Sequence, residues 1–176
     1  MKSKKSKYGL LILCLLLIGI AAGFRYRQVN AHPALRGVTE EKFFKRGELV
    51  HAYHVDFVVH QVKLTETKDE ARLKVRLSLK QTGTANYGLK KDNPDFRDNM
   101  FFNVPYGISN QCDYVLNKKS QRVGYNYIAK NIKKKQLYTL YFSVPRETYD
   151  KRTEKTRFSF LVPLPDHYIK YSLLLE

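Results

Sequence analysis

The ten residues ARLKVRLSLK, 71–80, constrain the fold more than any other stretch of this chain. Leu73, Val75, Leu77 and Leu79 alternate with Arg72, Lys74, Arg76 and Lys80, and Ser78 is the one uncharged residue on the charged side. A period of two fits a strand with one face to a core and the other to water; a helix would spread these charges around its circumference. Just upstream, LVHAYHVDFVVHQVKL (49–64) puts Tyr53, Val55, Phe57 and Val59 on one face, with His54, Asp56 and His60 on the other and His51 turned away from them. The polar run TETKDE (65–70) between the two segments reads as the turn of a β-hairpin.

Further strand-like runs follow at short intervals. MFFNV (100–104) is stopped by Pro105 and Gly107; CDYVL (112–116) and VGYNYIA (123–129) flank the turn NKKSQR. QLYTLYFSV (136–144) is rich in β-branched and aromatic residues, and RFSFLVPL and HYIKYSLLL close the chain. QTGTANYGLKKDNPDFRDN (81–99) is a long loop dense in turn formers, and TEEKFF (39–44) reads as a short helix. Seven to nine strands without a long helix between them predict an all-β antiparallel sandwich over residues 48–176.

The N-terminus reads differently. Residues 8–24 carry no charge over 17 positions, about 25 Å of helix at ~1.5 Å per residue, close to the ~30 Å of a hydrocarbon core. Lys2, Lys4, Lys5 and Lys7 precede the run and only Arg25 and Arg27 follow it, which predicts the N-terminus inside. The expected organisation is a basic tail (1–7), a single transmembrane signal-anchor (8–24), a stalk (25–47) and an extracytoplasmic sandwich. The small residues AAG (21–23) and VNA (29–31) leave cleavage and secretion as the alternative. Cys14 lies within the apolar run, so it cannot pair with Cys112, the other cysteine, inside one molecule.

The chain carries +16 at pH 7, and six cations with no acid fall in the first 27 residues, leaving +10 on the remainder. Such an excess favours anionic partners. Arg72, Lys74, Arg76 and Lys80 on the strand, with Lys130, Lys133, Lys134 and Lys135 in KNIKKK (130–135), are the candidate anion-binding residues. Tyr125 and Tyr127 before that run, and Tyr138 after it, are candidate stacking platforms for sugars or bases. The competing reading is a solvated outer face, its lysines blocking edge-to-edge aggregation. Export makes anionic cell-wall polymers or an acidic protein the expected partners and sets nucleic acid aside.

Other chemistry has less to work with. His54, Asp56 and His60 share a strand face, yet a third metal ligand has to come from another strand. Asp92, Asp95 and Asp98 crowd hard oxygens into one loop, in a spacing that an Asx-rich turn explains as well as Ca²⁺ does. There is no Gly-x-Ser-x-Gly elbow and no phosphate-cradling glycine loop, so neither catalysis nor a cofactor is expected. An enzyme that brings a distant histidine to Cys112 is the competing reading.

VRLSLKQTG (75–83), followed by a loop, and the late LYTLYFSVP (137–145), with Phe142 and Pro145 closing an F-x-V-P strand end, carry a resemblance. Behind an N-terminal anchor and stalk, residues 47–162 resemble the immunoglobulin-like extracytoplasmic domains of Gram-positive membrane-anchored surface proteins and lipoproteins of unknown function. The chain departs from many of them in lacking a lipidation cysteine. The resemblance implies a binding or accessory role and no catalytic residues. A structural subunit of an envelope secretion, conjugation or DNA-uptake machine is the alternative, with Gly19 and Gly23 at small-xxx-small spacing for helix contact.

Overall fold

The computed structural model describes residues 3–30, 37–105 and 108–175, with side chains of the N-terminal helix described from Ile12 to Gln28. One sheet has five strands in the order β1 (Val38–Phe43), β11 (Tyr168–Leu174), β10 (Arg157–Pro163), β5 (Met100–Val104) and β6 (Ile108–Gln111). The other has six: β2 (Leu49–Ala52), β3 (Val55–Glu66), β4 (Glu70–Gln81), β9 (Gln136–Pro145), β7 (Tyr114–Leu116) and β8 (Arg122–Val123). Neighbours pair antiparallel except β1 with β11, which run parallel. The fold is a β-sandwich.

The alternation along β4 is realised side chain by side chain. Ala71, Leu73, Val75, Leu77 and Leu79 have no exposed surface, while Arg72, Lys74, Arg76 and Lys80 face out. Aromatic rings join the two sheets. Phe57 of β3 meets Phe160 of β10 edge to face at 5.3 Å and Tyr171 of β11 at 5.9 Å, and Phe142 of β9 meets Phe158 of β10 at 6.0 Å. Each such side chain removed from water contributes about 1.5–3 kcal/mol, which is why the alternating residues decide which face turns inward.

Several expectations are corrected. The run at 49–64 is two strands joined at Tyr53–His54, where His54 takes φ +61° and its carbonyl accepts hydrogen bonds from Thr82 N (2.8 Å) and Gly83 N (3.2 Å). TEEKFF is not helical: β1 occupies 38–43, and Phe44 packs in the core, so residues 38–47 belong to the sandwich and not to a stalk. This edge strand exposes most of its side chains, so it carries no apolar pattern to read. VGYNYIA ends β8 and then forms α2 (Tyr125–Asn131), with Ile128 and Ile132 buried at helical spacing; the polar run after Pro145 opens with α3 (Arg146–Asp150). The long loop is held from inside: Tyr87 Oη donates to Gln81 Oε1 (2.8 Å) and Asn99 Nδ2 to Leu161 O (2.8 Å).

The N-terminal helix, α1 (Ser3–Asn30), is 28 residues, about 42 Å long, and runs on through the first part of the expected stalk. Its described side chains are all exposed, Leu13, Leu16, Leu17, Ile20 and Phe24 among them. Among the described residues no helix is long and apolar enough to cross a membrane; the described side chains start at Ile12, part-way along the uncharged run. Residues 1–2 of the expected basic tail, 31–36 of the expected stalk and 106–107 of the expected stop lie outside the described residues.

Candidate functional site: the outer face of the six-stranded sheet

β4 lies inside its sheet, paired to β3 on one side and β9 on the other. Its backbone is therefore satisfied, and its cations are not guarding a sheet edge. The registers place partners beside them. Lys63 of β3 stands directly opposite Lys74, and Gln61 opposite Arg76; across the strand, Tyr141 stands opposite Lys74 and Thr139 opposite Arg76. Tyr141 is in turn opposite Tyr114 of β7. The two rings stack at 4.5 Å with 12° between their planes, Lys74 Nζ lies 5.6 Å from the centre of the Tyr141 ring, and the Arg122 guanidinium lies 5.1 Å from that of Tyr114. The pair of rings is thus capped by a cation on each outer face, which fixes both cations with about 0.5–1 kcal/mol apiece.

The two outer faces of the sandwich treat charge differently. On the five-stranded sheet, Glu41 bonds Lys170 Nζ (3.1 Å) and Arg157 Nη1 (3.2 Å), and Glu154 bonds Arg157 Nη2 (2.8 Å). Burial pushes the Glu41 carboxyl up, but the Ser172 hydroxyl, Lys170 and Arg157 together outweigh it and hold the group below its ordinary value. On the six-stranded sheet Arg72 is ion-paired to Glu70. No carboxylate among the described residues lies within ion-pair distance of Lys63, Lys74, Arg76, Lys80 or Lys133. Asp56, opposite Lys80, instead bonds His51 Nδ1 at 2.8 Å. Like charges set directly across from one another cost stability, about 0.2–1 kcal/mol for a pair such as Lys63 and Lys74.

Three depressions follow one another along this strand. The first, of 520 Å³, is lined by Lys63, Arg72 and Lys74 with Tyr114 and Tyr141, and also by Glu70, which pairs with Arg72, and Asp113, which accepts from Ser143 Oγ (2.9 Å). The second, of 490 Å³, lies at Gln61, Arg76 and His60, whose Nε2 meets Ser78 Oγ at 2.9 Å. The third, of 850 Å³, brings Lys80 together with Lys133 and Tyr125, and is lined by Asp92 as well. Lys130, Lys134 and Lys135 are exposed around the end of α2 and do not line that groove; cations there also suit the carboxyl end of a helix.

The stacking candidates divide. Tyr125 is 50% exposed and lines the third depression. Tyr127 is half-buried against the core, and Tyr138 is fully buried beside Phe96 at 5.0 Å, its hydroxyl pushed up by burial. Tyr138 is a core residue, because β9 points 138, 140, 142 and 144 inward and 139, 141 and 143 outward. Lys63, Tyr114, Arg122 and Tyr141 were missed. Counting outward from a two-residue turn at 68–69, with Thr67 opposite Glu70, places Lys63 opposite Lys74, and the same alternation along β9 turns Tyr141 out.

The other candidates are dispersed. His54 sits at a turn over Gly83 with Nδ1 3.2 Å from Thr84 O, Asp56 faces His51, and His60 lies on the β3 bulge, so the three do not converge. In the aspartate loop Asp95 is ion-paired to Arg97, and Asn93 Nδ2 donates to Asp98 (3.1 Å). Among the described residues no group of three or more His, Cys, Asp or Glu could hold a metal ion. Cys112 is partly buried against the core, its Sγ donating to Tyr114 O (3.3 Å), and burial pushes its thiol up to about 12.

No family model matches the chain, and no curated protein matches it. A crystal structure of an uncharacterized beta-sandwich protein from Clostridium difficile 630 is similar to it, with a TM-score of 0.51, 11% identity and coverage of 78% of this chain and 95% of that one. The likeness is one of fold. It supports the sandwich and assigns no activity.

Proposed function

We propose that this chain is a non-enzymatic, membrane-anchored binding module of the cell envelope, with an immunoglobulin-like sandwich on the extracytoplasmic side. Its basic outer sheet face engages anionic material there. The observation that carries the reading is the contrast between the faces: cations on one are neutralised by Glu41 and Glu154, and those along β4 beyond Arg72 are left uncompensated. The uncharged run at 8–24 with its flanking lysines supports the anchor.

Binding of the full chain in detergent to purified cell walls, with and without their phosphate polymers, across a salt series tests this. Binding should fall steeply with salt, need the phosphate polymers, and disappear in Lys74→Glu/Arg76→Glu. No binding at the lowest salt, or binding that ignores the double substitution, overturns it.

The second reading, a structural subunit of an envelope machine, is favoured by α1, whose described apolar side chains are exposed all round and whose Gly19 and Gly23 have open space at their Cα atoms. Gly19→Leu/Gly23→Leu should then strip co-purifying partners from the chain. An unchanged set of partners sinks this reading.

A further inference from the structure

We propose that the ligand of the basic face is an extended, linear phosphate polymer lying along β4. This rests on the anion-binding reading above and narrows it from any anion to one shape and one chemistry. Lys63 with Lys74, then Arg76, then Lys80 with Lys133, mark three successive stations, each at its own depression. From Arg72 to Lys80 the strand advances eight residues, about 27 Å at ~3.4 Å per residue. Side chains two apart on one face are ~7 Å apart, so the cations form a row and do not converge on a point.

A compact anion needs several donors converging on one point, and no station here holds more than two cations outside an ion pair. A chain of phosphates meets one station after another without bending, and its negative charge relieves the opposed pair of Lys63 and Lys74. His60 and Ser78 bridge the one step of the row that lacks a cation. Tyr114 and Tyr141 present edges outward, since each ring face is taken by the other ring or by a cation. They hold the row in place and leave no open face for a base. Tyr125, 50% exposed at the third depression, offers a single platform, too few for successive bases to stack, which favours a phosphate polymer over single-stranded nucleic acid.

Each phosphate engaged changes log K by about 0.7 per tenfold change in salt, so at about 0.1 M salt each contact is worth about a fivefold gain. The test measures binding of the full chain to tripolyphosphate, to long-chain polyphosphate and to oligothymidylate of matched charge. Long-chain polyphosphate should bind about 25-fold or more tighter than tripolyphosphate, through two or more added contacts. Lys80→Ala/Lys133→Ala, at one end of the row, should lower long-chain affinity about 25-fold and flatten its salt slope by about 1.4. Tripolyphosphate can still use the other end, so its affinity should fall no more than about twofold.

All substituted side chains are exposed, and an unchanged melting temperature confirms that the variant is folded. Equal affinity for both polyphosphates, or loss of tripolyphosphate with one end alone, overturns the linear row and leaves the broader anion reading standing. Tighter oligothymidylate binding overturns the phosphate-polymer assignment. Failure of every probe and of cell walls as well removes both readings together.

Discussion

Cys112 stands between β6 and β7, and its chemistry separates a binding module from a cysteine enzyme. Burial pushes its thiol from 9.0 to about 12, against smaller lowering effects from the Tyr141 backbone and Arg97. At about pH 8 a thiol at 9.0 is about one-tenth thiolate, and one near 12 is about one part in ten thousand. Because the thiolate is the nucleophile, the native chain should alkylate about a thousand-fold more slowly than the unfolded chain. The assay is iodoacetamide labelling followed by intact mass in a Cys14→Ser background, with and without urea. The native rate should rise about tenfold per pH unit well beyond pH 9. The same burial favours the protonated thiol in the folded state. Its stabilisation is therefore complete below pH 9 and lost as pH climbs towards 12, up to about 4 kcal/mol at 1.36 kcal/mol per unit. A native rate within tenfold of the unfolded one would refute the argument and return Cys112 to consideration as a nucleophile.

Other expectations concern the frame that carries the site. Phe57→Ala removes a ring that touches Phe44, Phe160 and Tyr171 and should cost about 3–5 kcal/mol in urea unfolding. At Gly83 an added Cβ would lie 2.5 Å from the His54 ring, so Gly83→Ala should destabilise by about 1–3 kcal/mol, and His54→Ala in the same chain should recover part of it. Glu41, held below 4.5 in the folded state, contributes stability above that value that is lost as pH falls through its folded pKa. The urea midpoint should accordingly drop less on acidification in Glu41→Gln than in the unchanged chain.

What the sequence revealed and what it hid have physical reasons. β4 was legible because it is buried on one face and wet on the other along most of its length, with Ser78 the buried exception on the outward side. β1 was not, since an edge strand held by one neighbour needs no apolar alternation. α2 has the look of a strand in sequence because Tyr125 and Tyr127 imitate a period of two, whereas Ile128 and Ile132, the residues that decide the matter, are four apart. The basic row was visible along β4, and its lateral partners needed the register: Lys63 comes beside Lys74 through the β3–β4 hairpin, and Tyr141, far off in sequence, flanks Lys74 only once β9 aligns on the other side. His51 and Asp56 show the same effect, for a turn at His54 folds the expected single strand back and makes partners of residues assigned to opposite faces.

The parallel pairing of β1 with β11 has a consequence for the order of assembly. Lys42 meets Tyr171 and Phe43 meets Ser172, contacts that close almost the whole length of the sandwich. A chain emerging N-terminus first can complete the β3–β4 hairpin early, since those partners are near in sequence. β1, made among the first, has no partner strand until the residues of β11 arrive. Closure of the five-stranded sheet is therefore a late, long-range event, the kind of contact that slows folding most. During that interval the unpaired β1 offers its backbone to any neighbour, and Glu40 and Lys42 along it are well placed to keep other strands away.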